Sequence, residues 1–233
     1  MKKLFLFLTL LLSLTATAQR EVTEFMGIRI DGSPKDMVQQ LLTKGFQEIP
    51  GENFLQGEFN GENVFVYIHT HHGKVWRIAL YDQKTRNESE IKTRYNHLCN
   101  QFLNNPGYYL HTQAKPNLSE DEDIHHQITV EKKQYQAMFA QKPTFFRDSI
   151  VAKKYGTQLI EEILQKKYKM STDSLHHLSS EKSAPIIADL KKSISEKAFE
   201  NLKNRTVWFT INQEKTGYRI TLFYENNFNE AHK

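Results

Sequence analysis

The stretch Val64–Asp82, VFVYIHTHHGKVWRIALYD, constrains the fold of this chain more than any other. Branched and aromatic residues alternate at period two on either side of His72-Gly73. That is the pattern of two β-strands joined by a tight turn, in which Gly supplies a positive φ. With His72-Gly73 as the two loop residues, counting outward sets His69 opposite Trp76, Tyr67 opposite Ile78 and Phe65 opposite Leu80. One face of the ribbon is then rich in aromatic residues and the other in Val, Ile and Ala. Neither face is polar, so the hairpin is expected near the middle of a sheet and covered, at least in part, on both sides. Trp76 is accordingly expected in the core.

The chain before this hairpin reads as strand, helix, strand. Phe25–Ile30 is a first strand and Asp31-Gly32 a turn. Ser33, Pro34 and Asp36 form the N-cap, first position and acidic arm of a helix striped by Met37, Val38, Leu41 and Leu42. Gly45 ends that helix. Phe54–Phe59 is a second strand, delivered into Val64 by the hairpin pair Asn60-Gly61. After the central hairpin, Asn87 or Ser89 opens a longer helix in which Ile91, Tyr95, Leu98, Cys99, Phe102 and Leu103 recur at spacings of three and four. Residues 19–112 thus predict an α+β fold, a β-α-β-β-β-α unit with both helices on one face of an antiparallel sheet.

Residues 113–233 continue it with further antiparallel strands. Tyr108–Thr112, His125–Val130 and Tyr135–Gln141 read as short strands, and Val207–Ile211 with Tyr218–Tyr224 as a closing hairpin. Gln113–Asp123, with its run Glu120-Asp121-Glu122-Asp123, reads as an exposed connection. Ile150–Lys203 has helical periodicity instead, one helix through Val151, Tyr155, Leu159 and Ile163 and another opened by Ser183 and Pro185. This two-helix insertion before the last hairpin holds most of the excess positive charge. Apart from it, the two parts are expected to share one core.

Met1–Ala18, MKKLFLFLTLLLSLTATA, has a basic start, an apolar run and a small-x-small end at Ala16-Thr17-Ala18, the build of a secretory signal peptide cut near Ala18. Its removal takes Lys2 and Lys3 away and lowers the formal charge from +4 to +2. So balanced a chain makes no demand for nucleic acid, and no later segment has the apolar length of a membrane span. A periplasmic or extracellular location follows as an expectation. Cys99 is the single cysteine, so no intrachain disulfide can form, and its place on an apolar helical stripe suits a buried small side chain.

The segment FMGIRIDGSPKDMVQQLLTKGF, Phe25–Phe46, resembles the opening of a family of small exported proteins of unassigned function from Bacteroides-type bacteria. There a Gly-Ile-x-Ile-Asp-Gly strand-turn leads into a helix ending Lys-Gly-Phe. The closing VWFTINQEKTGYRITLFYENNFNEA is similar to the last hairpin of some members. The resemblance leaves out Ile150–Lys203, and Arg29 stands where the family pattern has Pro. It implies export and a mixed α+β fold, and it brings no catalytic residues. It also implies that Asp148-Ser149-Ile150 and Asp173-Ser174-Leu175 are candidate O-glycosylation triplets.

Three features bear on chemistry. The ten histidines include His69-Thr70-His71-His72 at the hairpin tip, where His69 and His71 at i and i+2 on one strand face, with His72, could hold zinc or copper. Ser89-Glu90-Ile91-Lys92 and Lys215-Thr216-Gly217 echo serine β-lactamase motifs, but no Ser-Asp-Asn lies between them and the second is explained as a hairpin turn. Phe54, Phe59, Tyr67, Trp76, Trp208, Phe209, Tyr218 and Phe223 could floor a ligand groove, or simply fill a core. The sequence therefore predicts an exported non-catalytic binding or interaction protein with an unknown protein or envelope ligand. The alternative is a metal-binding protein or metal-dependent enzyme centred on His69, His71 and His72.

Overall fold

The computed structural model describes residues 21–111, 115–143 and 149–230, without the side chains of 149–155. The fold is α+β, built on one antiparallel sheet. Its strands are β1 (Glu24–Phe25), β2 (Ile28–Arg29), β3 (Gln47–Glu48), β4 (Leu55–Phe59), β5 (Glu62–His71), β6 (Lys74–Asp82), β7 (Tyr108–Leu110), β8 (Gln136–Gln141), β9 (Arg205–Glu214) and β10 (Gly217–Asn226). The helices are α1 (Pro34–Thr43), α2 (Glu88–Asn104), α3 (Ile124–Thr129), α4 (Ser149–Tyr168), α5 (Thr172–His176) and α6 (Ser180–Lys203). Eight strands run in the order β3-β4-β5-β6-β10-β9-β8-β7, so β6 and β10 lie in the middle. The last hairpin inserts between the central one and β8.

One face of this sheet carries the main core. From α1, Met37 and Leu41 press onto it, and from α2 so do Ile91, Tyr95, Leu98, Cys99 and Phe102. Leu55, Val64, Val66, Ile78, Leu80, Leu222, Tyr224, Val207, Phe209 and Phe139 meet them from the strands. Phe209 packs edge-on with Tyr95 and stacks with Phe102 and Phe139, at ring-centroid distances of 5.1, 5.8 and 6.2 Å. Burial pushes the Cys99 thiol up to about 12, as suits a packing residue rather than a nucleophile. The helix ends follow their sequence signals. Ser33 Oγ accepts from Asp36 N at 3.2 Å, and Asn87 with Glu90 forms a reciprocal capping box.

The central hairpin departs from simple counting at one residue. His71 pairs with Lys74 and Thr70 with Val75, but a β-bulge follows, so that His69 pairs with Arg77, Tyr67 with Ala79 and Phe65 with Tyr81. Trp76 is the extra residue. The bulge keeps Val75 on the core face near the turn and returns Ile78, Leu80 and Asp82 to that face beyond it. Trp76 is left half-buried on the opposite face, outside the core.

Two expected strands take other forms. Phe25–Ile30 folds into a separate small hairpin, because Met26 and Gly27 both adopt positive φ, 51° and 77°, as a two-residue type I′ turn requires. Of the expected strand His125–Val130, His125–Thr129 forms helix α3 together with Ile124, and Val130 is its C-cap. Asp123 caps it by accepting from His126 N at 2.8 Å, and the i, i+4 pair Ile124 and Ile128 faces the core. Strand β7 stops at Leu110, while Thr112 lies outside the described residues.

The stretch between β8 and β9 has a hydrophobic cluster of its own. Leu159, Ile163 and Leu164 of α4 meet Leu175 of α5 and Leu190 of α6, and no sheet residue joins them among the described residues. Helix α6 begins at Ser180, ahead of Pro185, and leaves Ile187 and Phe199 exposed. The N-terminal strap is tied to the far end of the chain. Buried Arg205 donates to Glu21 at 3.0 Å and to Gln141 at 3.2 Å, and Asn226 Nδ2 donates to Ile30 O at 2.7 Å. Asn229 Nδ2 reaches Val75 O at 2.9 Å, and Val75 N donates to Gly32 O at 2.9 Å, which fixes one side of the central hairpin tip.

Candidate binding face

Strand alternation sends Phe65, Tyr67, Tyr81, Phe223, Trp208 and Met138 to the sheet face opposite α1 and α2, where Trp76 joins them. None of these belongs to either hydrophobic cluster, and all are half-buried rather than enclosed. The eight aromatic candidates therefore divide. Phe59, Phe209 and Tyr218 serve the core, whereas Phe54, Tyr67, Trp76, Trp208 and Phe223 lie on the open face.

The rings form two groups. Across β9, β10, β6 and β5 runs a row of three aromatic rings, a guanidinium and an imidazole in contact. Trp208 stacks on Phe223 with centroids 4.2 Å apart and planes 23° apart. The Arg77 guanidinium carbon lies 5.0 Å from the Phe223 centroid and 4.1 Å from that of Trp76. His69 closes the row, 6.5 Å from Trp76. Buried Glu225 ties the row together, accepting from Arg77 Nη2 and, at 2.8 Å, from Trp208 Nε1. Phe223 has Trp208 on one side and Arg77 on the other, so it turns an edge rather than a face to solvent. The second group is Phe54, Phe65, Tyr67 and Tyr81. Phe54 lies 5.0 Å from Phe65 and 4.8 Å from Tyr67, which lies 5.1 Å from Tyr81. Between the groups sit the small buried residues Ala79 and Thr221.

The histidines at the hairpin tip separate. His69 joins the ring row, and burial, then the charge of Arg77, holds its ring pKa below the usual 6.5. Its Nε2 is buried with no hydrogen-bond partner among the described residues. His72 takes the turn, with φ of 47°, and its ring meets that of His71 at 4.0 Å. The structure thus brings His71 and His72 together, apart from His69. No group of three or more His, Cys, Asp or Glu that could hold a metal ion occurs among the described residues. Of the two glycosylation triplets, Ser174 is exposed at the start of α5 and Asp148 lies outside the described residues.

On the helix side the notable polar feature is a buried ion cluster. Asp82, 3 % exposed, accepts from Arg94 Nε at 3.0 Å, Arg94 Nη2 at 3.2 Å and Arg86 Nη1 at 3.0 Å, while Arg86 Nη2 pairs with Glu62 at 2.5 Å. A cleft of about 500 Å³ opens beside it, lined by Lys84, Glu90 and His97 as well as the two arginines. Acidic and basic groups balance there, so the cluster is a clamp between α2 and the end of the central hairpin. Neither Arg77–Glu225 nor Arg94–Asp82 was singled out from sequence. A charged residue inside an apolar strand is the one available signal, and Arg77 and Glu225 both give it.

Comparison with protein-family models, curated proteins and solved structures returns no match to this chain. The residues themselves are therefore the ground for a functional reading.

Proposed function

We propose that the chain is an exported, non-catalytic binding protein that meets a protein partner on the open face of its sheet. The observation that carries this reading is the half-buried row His69–Trp76–Arg77–Phe223–Trp208 with the adjoining Phe54–Tyr81 group, none of it part of a helix-covered hydrophobic cluster among the described residues. Broad apolar patches with aromatic residues and Arg at their centre are what protein interfaces use, whereas small-molecule sites are concave. Stacking on both sides of Phe223 and of the Arg77 guanidinium also favours a partner that packs against ring edges over a sugar that needs a free ring face. Export is supported by the Met1–Ala18 pattern.

The test immobilises the mature chain from Gln19 and identifies the protein retained from the native envelope. A Trp208→Ala/Phe223→Ala variant that still melts cooperatively is expected to retain about tenfold less of it. Equal retention by the variant refutes the reading.

A further inference from the structure

The ring groups border a strand edge that has no partner strand among the described residues. Strands β4 and β5 are joined by Asn60-Gly61, both at positive φ, 52° and 75°, and Phe59 and Glu62 flank this two-residue turn as a pair. In a two-residue hairpin the flanking pair exchanges both hydrogen bonds, and every second residue repeats this. The even-numbered residues of β5 therefore aim N–H and C=O toward β4, and the odd-numbered ones toward β6. Gln83 N donating to Asn63 O at 2.8 Å on the β6 side agrees with this.

Pairing with β4 ends where Leu55 meets Val66. Before Leu55 the chain turns away through Gly51, with φ of 85°. Strand β5 nevertheless continues to His71. Ile68 and Thr70 thus direct two donors and two acceptors to an edge from which no backbone hydrogen bond reaches them among the described residues. This edge has no Lys or Pro, which commonly guard exposed strands. It is also held in place, since the opposite side of the tip is fastened through Val75 to Gly32 and Asn229.

We infer that an extended segment of the partner polypeptide adds here as a further antiparallel strand, in line with β4 and paired with Ile68 and Thr70. The inference rests on the open-face reading and names the partner's form. Backbone bonds to Ile68 and Thr70 supply register. Alternate side chains of the added strand fall on the open face beside Phe54, Tyr67 and His69, so a segment with apolar residues at every second position is selected. A folded, helical partner surface would leave the edge groups unpaired.

A phage-displayed library of random peptides of about twelve residues is the probe, selected on the mature protein. Thr70→Pro removes the outward N–H without touching the β6 ladder, because Thr70 points its N–H away from that strand. Thr70→Val is the control that keeps the N–H. Selected peptides are expected to alternate in polarity, to shift the amide signals of Ile68 and Thr70, and to bind Thr70→Pro about tenfold or more weakly while binding Thr70→Val normally. Trp208→Ala separates this inference from the reading beneath it, since Trp208 lies three strands away. Binding lost with Trp208→Ala but kept with Thr70→Pro overturns the strand addition and leaves the face. Binding kept by both variants, or no enriched peptide, overturns the strand addition outright.

Discussion

Replacing Asp82 by Ala should be among the most damaging single changes outside the apolar core. The carboxylate is buried between two guanidinium groups whose side chains are 5 % and 6 % exposed. Without it, Arg86 keeps Glu62 at 2.5 Å and the carbonyl of Lys84 at 3.1 Å. Arg94 loses both bonds to Asp82, at 3.0 and 3.2 Å, and stays buried beside a like charge. Breaking a buried pair from one side costs about 3–5 kcal/mol, most of it the desolvation of the stranded ion. With a urea slope of about 2–3 kcal/mol/M for a chain of this size, the midpoint should fall by about 1.5 M. The double variant Asp82→Ala/Arg94→Met removes the stranded charge and keeps its apolar length, so it should recover about 2 kcal/mol of that loss. Urea melts followed by both tryptophan fluorescence and far-UV circular dichroism read the two values. A loss below about 1 kcal/mol for Asp82→Ala would show that the arginines rehydrate freely, and an additive double variant would show that they are not coupled.

Trp76→Ala should cost only about 1–2 kcal/mol in the same assay, for part of a ring and one cation–π contact, and a loss above about 3 kcal/mol would put the ring back in the core. Replacing residues 149–203 with a short Gly/Ser linker should remove helix signal and keep a cooperative melt, because Leu159, Ile163, Leu164 and Leu190 pack among themselves; an unfolded product would show that the excursion supports the sheet. The lowered pKa of His69 means that, as pH falls below 6.5, the unfolded chain takes up this proton before the folded one does. Stability from this group is full above 6.5 and declines as pH drops toward the folded value, so wild-type melting temperature should fall more steeply there than that of His69→Gln; parallel curves would contradict it.

The α+β fold was legible because its signals are local. Alternation in β5 and β6, Ser33 and Asn87 as caps, Gly45 as a stop and Asn60-Gly61 as a turn each act within a few residues, and the structure uses all of them. Period two cannot reveal an inserted residue, so the bulge at Trp76 shifted every pair beyond it by one. Six residues of His125–Val130 are too few for alternation to outweigh the cap at Asp123. The candidate face was hidden for another reason. Arg77 and Glu225 stand 148 residues apart, and their meeting depends on β10 inserting beside β6. Aromatic residues on alternating strands read equally well as core or as open surface. Only the location of α1 and α2 divides Phe209 from its neighbour Trp208.

Hydroxyl-radical footprinting of the mature protein, alone and with its captured partner, tests the open face most directly. Free protein should be oxidised at Tyr67, Trp76, Trp208 and Phe223 and spared at Tyr95 and Phe209, and the partner should protect the first set. Unreactive rings on the open face, or protection confined to α2 or to residues 149–203, would contradict the account.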